Sequence, residues 1–199
     1  MSSINPLIIW SIVAYIVGSI PSGYLIARWY GIHDIRKTGS GNIGASNVGR
    51  SLGVFGFIIV FLLDAVKAYA FLFLAQHAQI TSEFDLLVIS FCILLGNCYS
   101  LFLNGQGGKG IATLVGISAA HNYYIALLFA ASWLIGIVVT RVASLASMIA
   151  LITVGCSLLY FNIISLFYFF AAATLIIIWR HKSNIIHMIS ARTRKNYNK

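Results

Sequence analysis

Long apolar runs alternate with short clusters of glycine, small polar and basic residues along the 199-residue chain. Most of the runs reach the roughly 20 residues that an α-helix needs to cross a bilayer, although the fourth is too short to cross in full. Because a helix satisfies its own backbone polar groups in lipid, the pattern predicts an all-α integral membrane protein with seven transmembrane helices. We place six of them at about 6–29, 52–76, 86–103, 123–140, 142–159 and 163–179, and the short fourth one over about a dozen residues that end at Ala120.

The composition excludes a soluble globular domain. Hydrophobic residues make up 60% of the chain and charged residues 9%, and the mean hydropathy is +0.92. So few charges could not cover a water-facing surface. The runs are also too uniformly apolar for the alternating strands of a membrane β-barrel. We expect one membrane domain over 1–199, with a basic cytoplasmic tail at 184–199.

The net charge of +9 comes from 13 Lys and Arg residues against 4 Asp and Glu residues, most of them in loops and in the tail. This distribution favours contact with lipid headgroups over contact with nucleic acid. Lys and Arg favour the cytoplasmic side of membrane proteins. With the N-terminus outside and the C-terminus cytoplasmic, that side receives every Lys and Arg except Lys67, which lies inside a span. A six-span arrangement without the fourth segment would put Arg141 on the wrong side.

Polar clusters fall on the cytoplasmic side in this arrangement, each where a helix begins or ends. The first, Gly39 to Arg50, reads GSGNIGASNVGR, and the others are Asn104 to Thr113 and Arg180 to Asn184. Small residues let backbone N–H groups approach an anion closely, and helix ends leave such groups free. The clusters therefore predict a phosphate-binding active site at the membrane surface. Its glycine floor comprises Gly39, Gly41, Gly108 and Gly110.

Common nucleotide and metal motifs do not account for these clusters. Gly39 to Gly44 matches GxGxxG, but a membrane span precedes it where a dinucleotide-binding domain needs a strand. Gly108 and Lys109 lack the first glycine and the following Ser or Thr of a P-loop. No His, Cys or carboxylate group has metal-ligand spacing, and the three cysteines are interpreted as free thiols. We expect no cofactor and no metal.

The side chains of the clusters are suited to binding phosphate. Arg50, Lys109 and Arg180 can neutralise its charge. Side chains that can hydrogen-bond to it are Ser40, Asn42, Asn47, Thr113 and Asn184. His181 is the histidine beside them, and it is either a general base or an interface histidine that faces the lipid headgroups.

Two opposite charges lie deep in the second span, at Asp64 and Lys67. Their three-residue spacing lets the side chains face each other on one side of a helix, and a charge at that depth is costly without a partner. The pair is either a structural ion pair inside the bundle or a part of the active site.

Several motifs follow one another along the chain, namely GSIPSGYLIAR, GSGNIGASNVGR, LLDAVK, GGKGIAT, RVASLAS and RHKSNI. In this order they resemble the bacterial acyl-phosphate:glycerol-3-phosphate acyltransferases over most of the chain. The resemblance implies catalytic roles for Ser40, Arg50, Lys109, His181 and Asn184. It implies substrate or phosphate binding by Asn42, Asn47, Thr113, Ser144, Ser147 and Arg180. The chain departs from the family pattern at Asn97, where a His is usual, and at Gln106 and His187, where basic residues are usual.

The resemblance implies transfer of an acyl group from acyl phosphate to the 1-hydroxyl of glycerol 3-phosphate. The products would be lysophosphatidic acid and inorganic phosphate, in the first step of phospholipid synthesis. The partners would be these two substrates and membrane lipids. The chain would be a monomer in the bacterial cytoplasmic (inner) membrane, with its active site on the cytoplasmic face.

The expected chemistry needs no covalent enzyme intermediate, because acyl phosphate already carries a good leaving group. Orientation of the substrates and stabilisation of developing charge then supply most of the acceleration. The proton of the acceptor hydroxyl passes either to His181, oriented by Asn184, or to a substrate phosphate.

Two other classes of protein compete with an enzyme. A transporter or channel for an anionic phosphorylated solute should show internal repeats and a polar path to the outer face, and the sequence shows neither clearly. An anchor that only binds anionic lipid explains the basic tail but not the glycine clusters. We therefore favour the acyltransferase.

Overall fold

The computed structural model describes residues 5–78, 80, 82–184 and 186, and within these ranges it is helical with no strand. The predicted all-α class is confirmed. The basic tail lies outside the described residues from position 187 onward, as does His187. The helices are α1 Pro6–Ser19, α2 Ser22–Trp29, α3 Ala45–His77, α4 Glu83–Cys98, α5 Ile111–His121, α6 Tyr123–Thr140, α7 Ala143–Tyr160 and α8 Ile164–Arg180.

Several helical stretches are long and apolar enough to cross a bilayer. They are Pro6–Trp29, Ala45–His77, Glu83–Leu103, Tyr123–Thr140 and Ala143–Tyr160. The helices α5 and α8 are apolar but shorter, and α5 has only 11 residues, as short as the sequence predicts. Large apolar side chains cover the outer face, and Val138 and Val139 are each about three-quarters exposed. An apolar outer surface on apolar helices is that of a multi-pass membrane protein.

The first predicted span is interrupted at Ile20 and Pro21. Proline has no N–H to continue a helical hydrogen-bond ladder, so α1 ends at Ser19 and α2 begins at Ser22. Lys67 compensates for the interruption, because its Nζ donates to the Ile20 carbonyl oxygen at 2.9 Å. The same Nζ lies 2.7 Å from Asp64 Oδ1. The ion pair predicted from the spacing of these two residues is therefore formed.

The second span begins earlier than predicted. The sequence indicated a loop through Arg50 and a helix from 52, but α3 begins at Ala45, so Asn47 and Arg50 lie on a helix. That prediction is wrong because hydropathy does not detect helical turns that are polar. At Gly53 the helix changes direction, with φ 73°, a value that favours glycine. This break separates a short polar arm, residues 45–52, from the apolar remainder of α3.

Glycines bring the helix backbones close together. A side chain at Gly96 of α4 would overlap the Tyr15 carbonyl of α1, and one at Gly116 of α5 would overlap the Ala65 carbonyl of α3. Gly136 of α6 faces α7 in the same way. Small residues at such contacts are the usual means by which membrane helices pack, since lipid provides no hydrophobic drive between them. These contacts fix the relative positions of the helix ends that form the site.

A second, smaller apolar cluster lies beneath the first polar cluster. Ile35 and Ile43 flank the glycine-rich loop and are buried against Ala27 of α2 and Val48 and Val60 of α3. Burying two isoleucine side chains stabilises the loop by roughly 1.5–3 kcal/mol for each side chain. The loop is thereby attached to the bundle at both ends.

Candidate active site

Helices α3, α5 and α7 begin at one cleft, which is open at its mouth. Gly44 and Ala45 of α3, Gly110 and Ile111 of α5, and Ala143 of α7 all line it. In the described structure none of these three helix ends has a side-chain cap. The first N–H groups of a helix lack carbonyl partners and carry partial positive charge. Their convergence makes the cleft a binding place for an anion.

The structure brings most of the predicted site residues to this cleft. Those that line it are Ser40, Asn42, Asn47, Arg50, Lys109, Gly110, Ser144, Ser147, His181 and Asn184. Gly41 and Arg180 line an adjoining cavity, which shares Ser40, Asn42 and Lys109 with the cleft.

The remaining predicted residues, Gly39, Gly108 and Thr113, line neither cavity. Thr113 is wholly buried within α5, and its Oγ1 has no hydrogen-bond partner among the described residues. Gly39 adopts φ 54° beside Asn47, where a Cβ would overlap the amide oxygen of that residue. Gly108 packs against Asn97. Gly39 and Gly108 thus shape the loops that carry Ser40 and Lys109.

Asn47 holds the glycine-rich loop in place. Its Oδ1 accepts a hydrogen bond from the Ser40 backbone N–H at 2.7 Å. Its Nδ2 lies 3.1 Å from the carbonyl oxygens of Ile35 and Thr38, and 2.8 Å from that of Asn42. The residue is only 2% exposed. Its amide group is therefore engaged with the main chain, and it determines where Ser40 lies.

The second loop is held to the first loop and to α8. Asn42 Nδ2 donates to the Gly107 carbonyl oxygen at 3.2 Å, and the Gly108 N–H donates to the Asn97 carbonyl oxygen at 2.7 Å. Arg180 donates from Nη2 to the Gly107 carbonyl oxygen at 2.7 Å. All three of the predicted clusters therefore meet at the peptide that precedes Lys109.

Arg36 bridges the same two loops at the rim. Its Nη1 donates to Gln106 Oε1 at 3.0 Å, while Nε and Nη2 donate to the Asp34 carboxylate. Those hydrogen bonds lower the pKa of Asp34 to about 2. The glutamine at 106 can accept this bond, which a basic side chain could not.

The surroundings of Lys109 disfavour the charged form of its side chain. Burial lowers its pKa to about 8, and the positive charges of Arg50 and Arg180 contribute in the same direction. An ammonium group that is desolvated and surrounded by like charge is stabilised by an anion. The site is therefore electrostatically incomplete until a negative group enters it.

His181 is neutral in this environment. Burial lowers its pKa to about 4, with a further contribution from the charge of Lys109. Its Nδ1 lies 2.8 Å from the Ile177 carbonyl oxygen, which can only accept a hydrogen bond, so the proton is assigned to Nδ1. The imidazole Nε2 is then unprotonated and can accept a hydrogen bond from a hydroxyl group.

Aromatic residues that the sequence analysis did not single out form one wall of the cleft. Phe57 stacks on Phe61 and on Trp133, with ring centroids 5.9 and 5.7 Å apart. The Trp133 Nε1–H donates to Ser147 Oγ at 3.2 Å. Hydropathy does not distinguish a lipid-facing aromatic ring from one in a cleft. The sequence did offer one sign of this wall: Trp133 lies within a span, and its indole N–H needs a hydrogen-bond acceptor that lipid does not provide.

Asp64 also lines the cleft. The alternatives left open by its spacing from Lys67 are therefore compatible, since the pair is a structural ion pair whose carboxylate side reaches the site. Asn97 lines the cleft as well, at the end of α4.

The sequence matches the family model described as "Glycerol-3-phosphate acyltransferase" over residues 8–191. A glycerol-3-phosphate acyltransferase from Thermosipho melanesiensis is 40% identical over 92% of this chain and 89% of the relative. One from Ehrlichia ruminantium is 37% identical over 92% and 93%.

Solved structures agree with these sequence matches. The crystal structure of PlsY, an integral membrane glycerol 3-phosphate acyltransferase, in its glycerol 3-phosphate form has a TM-score of 0.87 and 32% identity, with 94% of each chain covered. Its lysophosphatidic acid form has a TM-score of 0.85 and 31% identity over the same shares. Sequence and fold agree over nearly the whole length, and the chain belongs to the glycerol-3-phosphate acyltransferase family.

Proposed function

We propose that the protein transfers an acyl group from acyl phosphate to the 1-hydroxyl of glycerol 3-phosphate, giving lysophosphatidic acid and inorganic phosphate. One observation carries the proposal. Helix N-termini and the cations Arg50 and Lys109 meet at a cleft whose neighbouring wall is aromatic. Such a cleft suits a phosphate group attached to an apolar chain. Family membership supports the same reaction.

We assign the phosphate groups of the substrates to Arg50, Lys109 and Ser40. The N–H groups at the start of α5 supply further hydrogen-bond donors around them, with Ser144 nearby. The Ser147 hydroxyl donates to the Ala143 carbonyl oxygen at 2.8 Å and accepts from Trp133, so it shapes the wall of the cleft. Asn42 and Asn47 contribute through the loops that they hold. His181 and Asn184 face the acceptor hydroxyl, and the aromatic wall at Phe57 and Trp133 borders the acyl chain.

The chemical step is a displacement at the acyl carbonyl carbon. The 1-hydroxyl oxygen forms the new ester bond, the bond between the carbonyl carbon and the phosphate oxygen breaks, and inorganic phosphate leaves with the electron pair. Lys109 and Arg50 stabilise the negative charge that develops on the departing phosphate. Holding both substrates in one water-poor cleft supplies the orientation.

His181 is expected to orient the hydroxyl more than to remove its proton, because a pKa of about 4 makes the imidazole a weak base. We expect His181→Ala to lower kcat by about ten- to a hundredfold, at the low end of what a general base contributes. A substrate phosphate would then accept the proton. The measurement is kcat between pH 5.5 and 8.5, with His33→Ala, at an exposed loop position, as the matched control. A loss of about a thousandfold or more would assign the proton to His181.

The binding of glycerol 3-phosphate is expected to weaken as the pH rises above about 8. Below that pH the free protein carries a protonated Lys109, and above it binding must take up a proton. Affinity should then fall by up to about tenfold per pH unit. Calorimetry at pH 7 and pH 9, in two buffers of different ionisation enthalpy, measures the uptake directly. Equal affinities with no proton uptake at pH 9 would contradict this prediction.

The membrane arrangement is part of the proposal. Seven spans, an external N-terminus and a cytoplasmic C-terminus place the cleft on the cytoplasmic face of the bacterial inner membrane, where glycerol 3-phosphate is available. The positive charges of the loops at Arg36, Lys37 and Lys109 support this orientation. We also propose that the chain acts as a monomeric single domain.

The function is tested by phosphate release from purified protein given palmitoyl phosphate and glycerol 3-phosphate, with palmitoyl-CoA in a parallel reaction. We expect phosphate and lysophosphatidic acid from the first reaction alone. Products from acyl-CoA would overturn the assignment of the donor. If neither reaction proceeds while calorimetry shows that glycerol 3-phosphate binds, the result supports the anion-binding site but rejects the proposed catalysis.

A further inference from the structure

We propose that Arg180 is a positioning residue for Lys109 and not a ligand of the substrate phosphates. The inference rests on the proposed function and adds a role within the same site. Sequence reasoning grouped Arg180 with Arg50 and Lys109 as phosphate-binding cations. The contacts of its guanidinium group indicate a different role.

The guanidinium group binds main chain. Nε donates to the Gly108 carbonyl oxygen at 3.1 Å, and Nη2 donates to the Gly107 carbonyl oxygen at 2.7 Å. A planar fork of donors matches two successive carbonyl groups, which a lysine ammonium cannot do with fixed geometry. The residue that follows these two glycines is Lys109. Arg180 thus determines the direction in which the chain enters Lys109.

Further contacts fix the guanidinium group itself. The central guanidinium carbon, Cζ, lies 5.2 Å from the centroid of the Tyr99 ring, which follows the end of α4. The Gly107 carbonyl oxygen also accepts a bond from Asn42, and the Gly108 N–H donates to the Asn97 carbonyl oxygen. The peptide before Lys109 is therefore held from α4, from α8 and from the first loop. Arg180 could not turn toward a substrate without releasing that peptide.

Arg180 has two opposite effects on Lys109. Its hydrogen bonds hold the peptide before Lys109 in place, but its charge disfavours the protonated ammonium group. Its positive charge is one of the causes that lower the pKa of Lys109. Among the described residues, the charged ones that line the cleft or the adjoining cavity with Lys109 are Arg50, Asp64, Arg180 and Lys182, and neutral His181 lines the cleft as well. Removal of Arg180 should therefore displace the ammonium and also raise its pKa.

A double-mutant cycle separates positioning from direct binding. The variants are Arg180→Ala, Lys109→Met and the double variant, assayed for kcat and KM. We expect Arg180→Ala to lower kcat/KM by about ten- to a hundredfold, and the double variant to match Lys109→Met within about threefold, because contacting residues that act as a unit are not additive. Losses that multiply would overturn the proposal, since a direct phosphate ligand acts without Lys109.

Conservative variants test the geometry. Compared with Arg180→Ala, we expect Arg180→Lys to restore less than a tenth of the lost kcat/KM, although lysine keeps the charge. Arg180→Gln should restore more, because the glutamine amide keeps one donor nitrogen for the carbonyl groups. Recovery by lysine to near the wild-type rate would overturn the proposal. The matched control is Lys37→Ala, which removes a positive charge from an exposed position outside both cavities. It should stay within about twofold of wild type.

Binding measurements keep the inference testable if the acyl transfer itself fails. Calorimetry measures the affinity for glycerol 3-phosphate at a series of pH values, in the wild type and in Arg180→Gln, and gives for each protein the pH above which the affinity falls. We expect that pH to rise in the variant, because one positive charge near Lys109 is gone, and the affinity at pH 7 to drop. A wild type that binds but does not react would reject the proposed function alone. An unchanged pH dependence with unchanged affinity would reject the positioning role.

Discussion

Lys109→Met is expected to lower kcat/KM for glycerol 3-phosphate by about a hundred- to a thousandfold, the loss typical of removing one preorganised charged donor. The residue lies where the cleft and its adjoining cavity meet, so it can reach phosphate in either. Methionine keeps most of the side-chain volume and removes the charge of the ammonium group together with its N–H donors. The measurement is steady-state kinetics with acyl phosphate, together with calorimetry of glycerol 3-phosphate.

A matched variant separates the local effect from the general charge of the face. Lys37→Met removes one positive charge from an exposed turn outside both cavities, and we expect less than a twofold change, because exposed charges are screened by salt. Equal losses in the two variants would mean that Lys109 acts only through net charge. Wild-type kinetics in Lys109→Met would remove it from the site altogether.

Gly96→Ala should cause a large loss of stability. A Cβ at this position would overlap the Tyr15 carbonyl and approach the Ser19 nitrogen, both in the backbone of α1. Backbone atoms cannot rotate away, so α1 must shift from α4, and overpacking of this kind costs about 1–3 kcal/mol. We expect the Tm in detergent to fall by several degrees, measured by thiol-reactive fluorescence or by loss of monodisperse protein.

Gly155→Ala is the control for this substitution. Gly155 also lies inside a helix, but a Cβ there would meet nothing within 4 Å. Replacing an unconstrained helical glycine by alanine favours the helix by roughly 0.5–1 kcal/mol. The Tm of this variant should therefore rise slightly or stay constant. A fall as large as that of Gly96→Ala would show that the close contact between α1 and α4 is not the cause.

The sequence predicted which residues come together better than it predicted what each of them contacts. Clusters containing Ser40, Lys109 and His181 were expected on one face, and the structure brings all three side chains to one cleft. That prediction needed the apolar runs together with the distribution of positive charges, which kept the short fourth run as a span and so determined the end at which each helix emerges. The direction of the Asp64 and Lys67 side chains followed from the helical period alone in the same way.

What could not be predicted depends on contacts between distant parts of the chain. Asn47 and Arg180 belong to polar clusters and carry good phosphate-binding groups, but their donors are bonded to the main chain of loops. No local pattern distinguishes a side chain that binds a ligand from one that binds a neighbouring loop. The start of α3 was missed for a different reason, since hydropathy reports transfer into lipid and the polar arm at 45–52 does not enter it.

The meeting of the N-termini of α3, α5 and α7 has a consequence for how these enzymes diverge. Peptide N–H groups belong to the backbone, so among single substitutions only one to proline removes such a group while the helix persists. Part of the affinity for phosphate is therefore inherited with the bundle itself, and substitutions at the rim, such as Gln106, can accumulate without erasing it. Proteins that share only a third of their residues can therefore keep the same ligand, because backbone N–H groups at the helix ends provide part of its binding site.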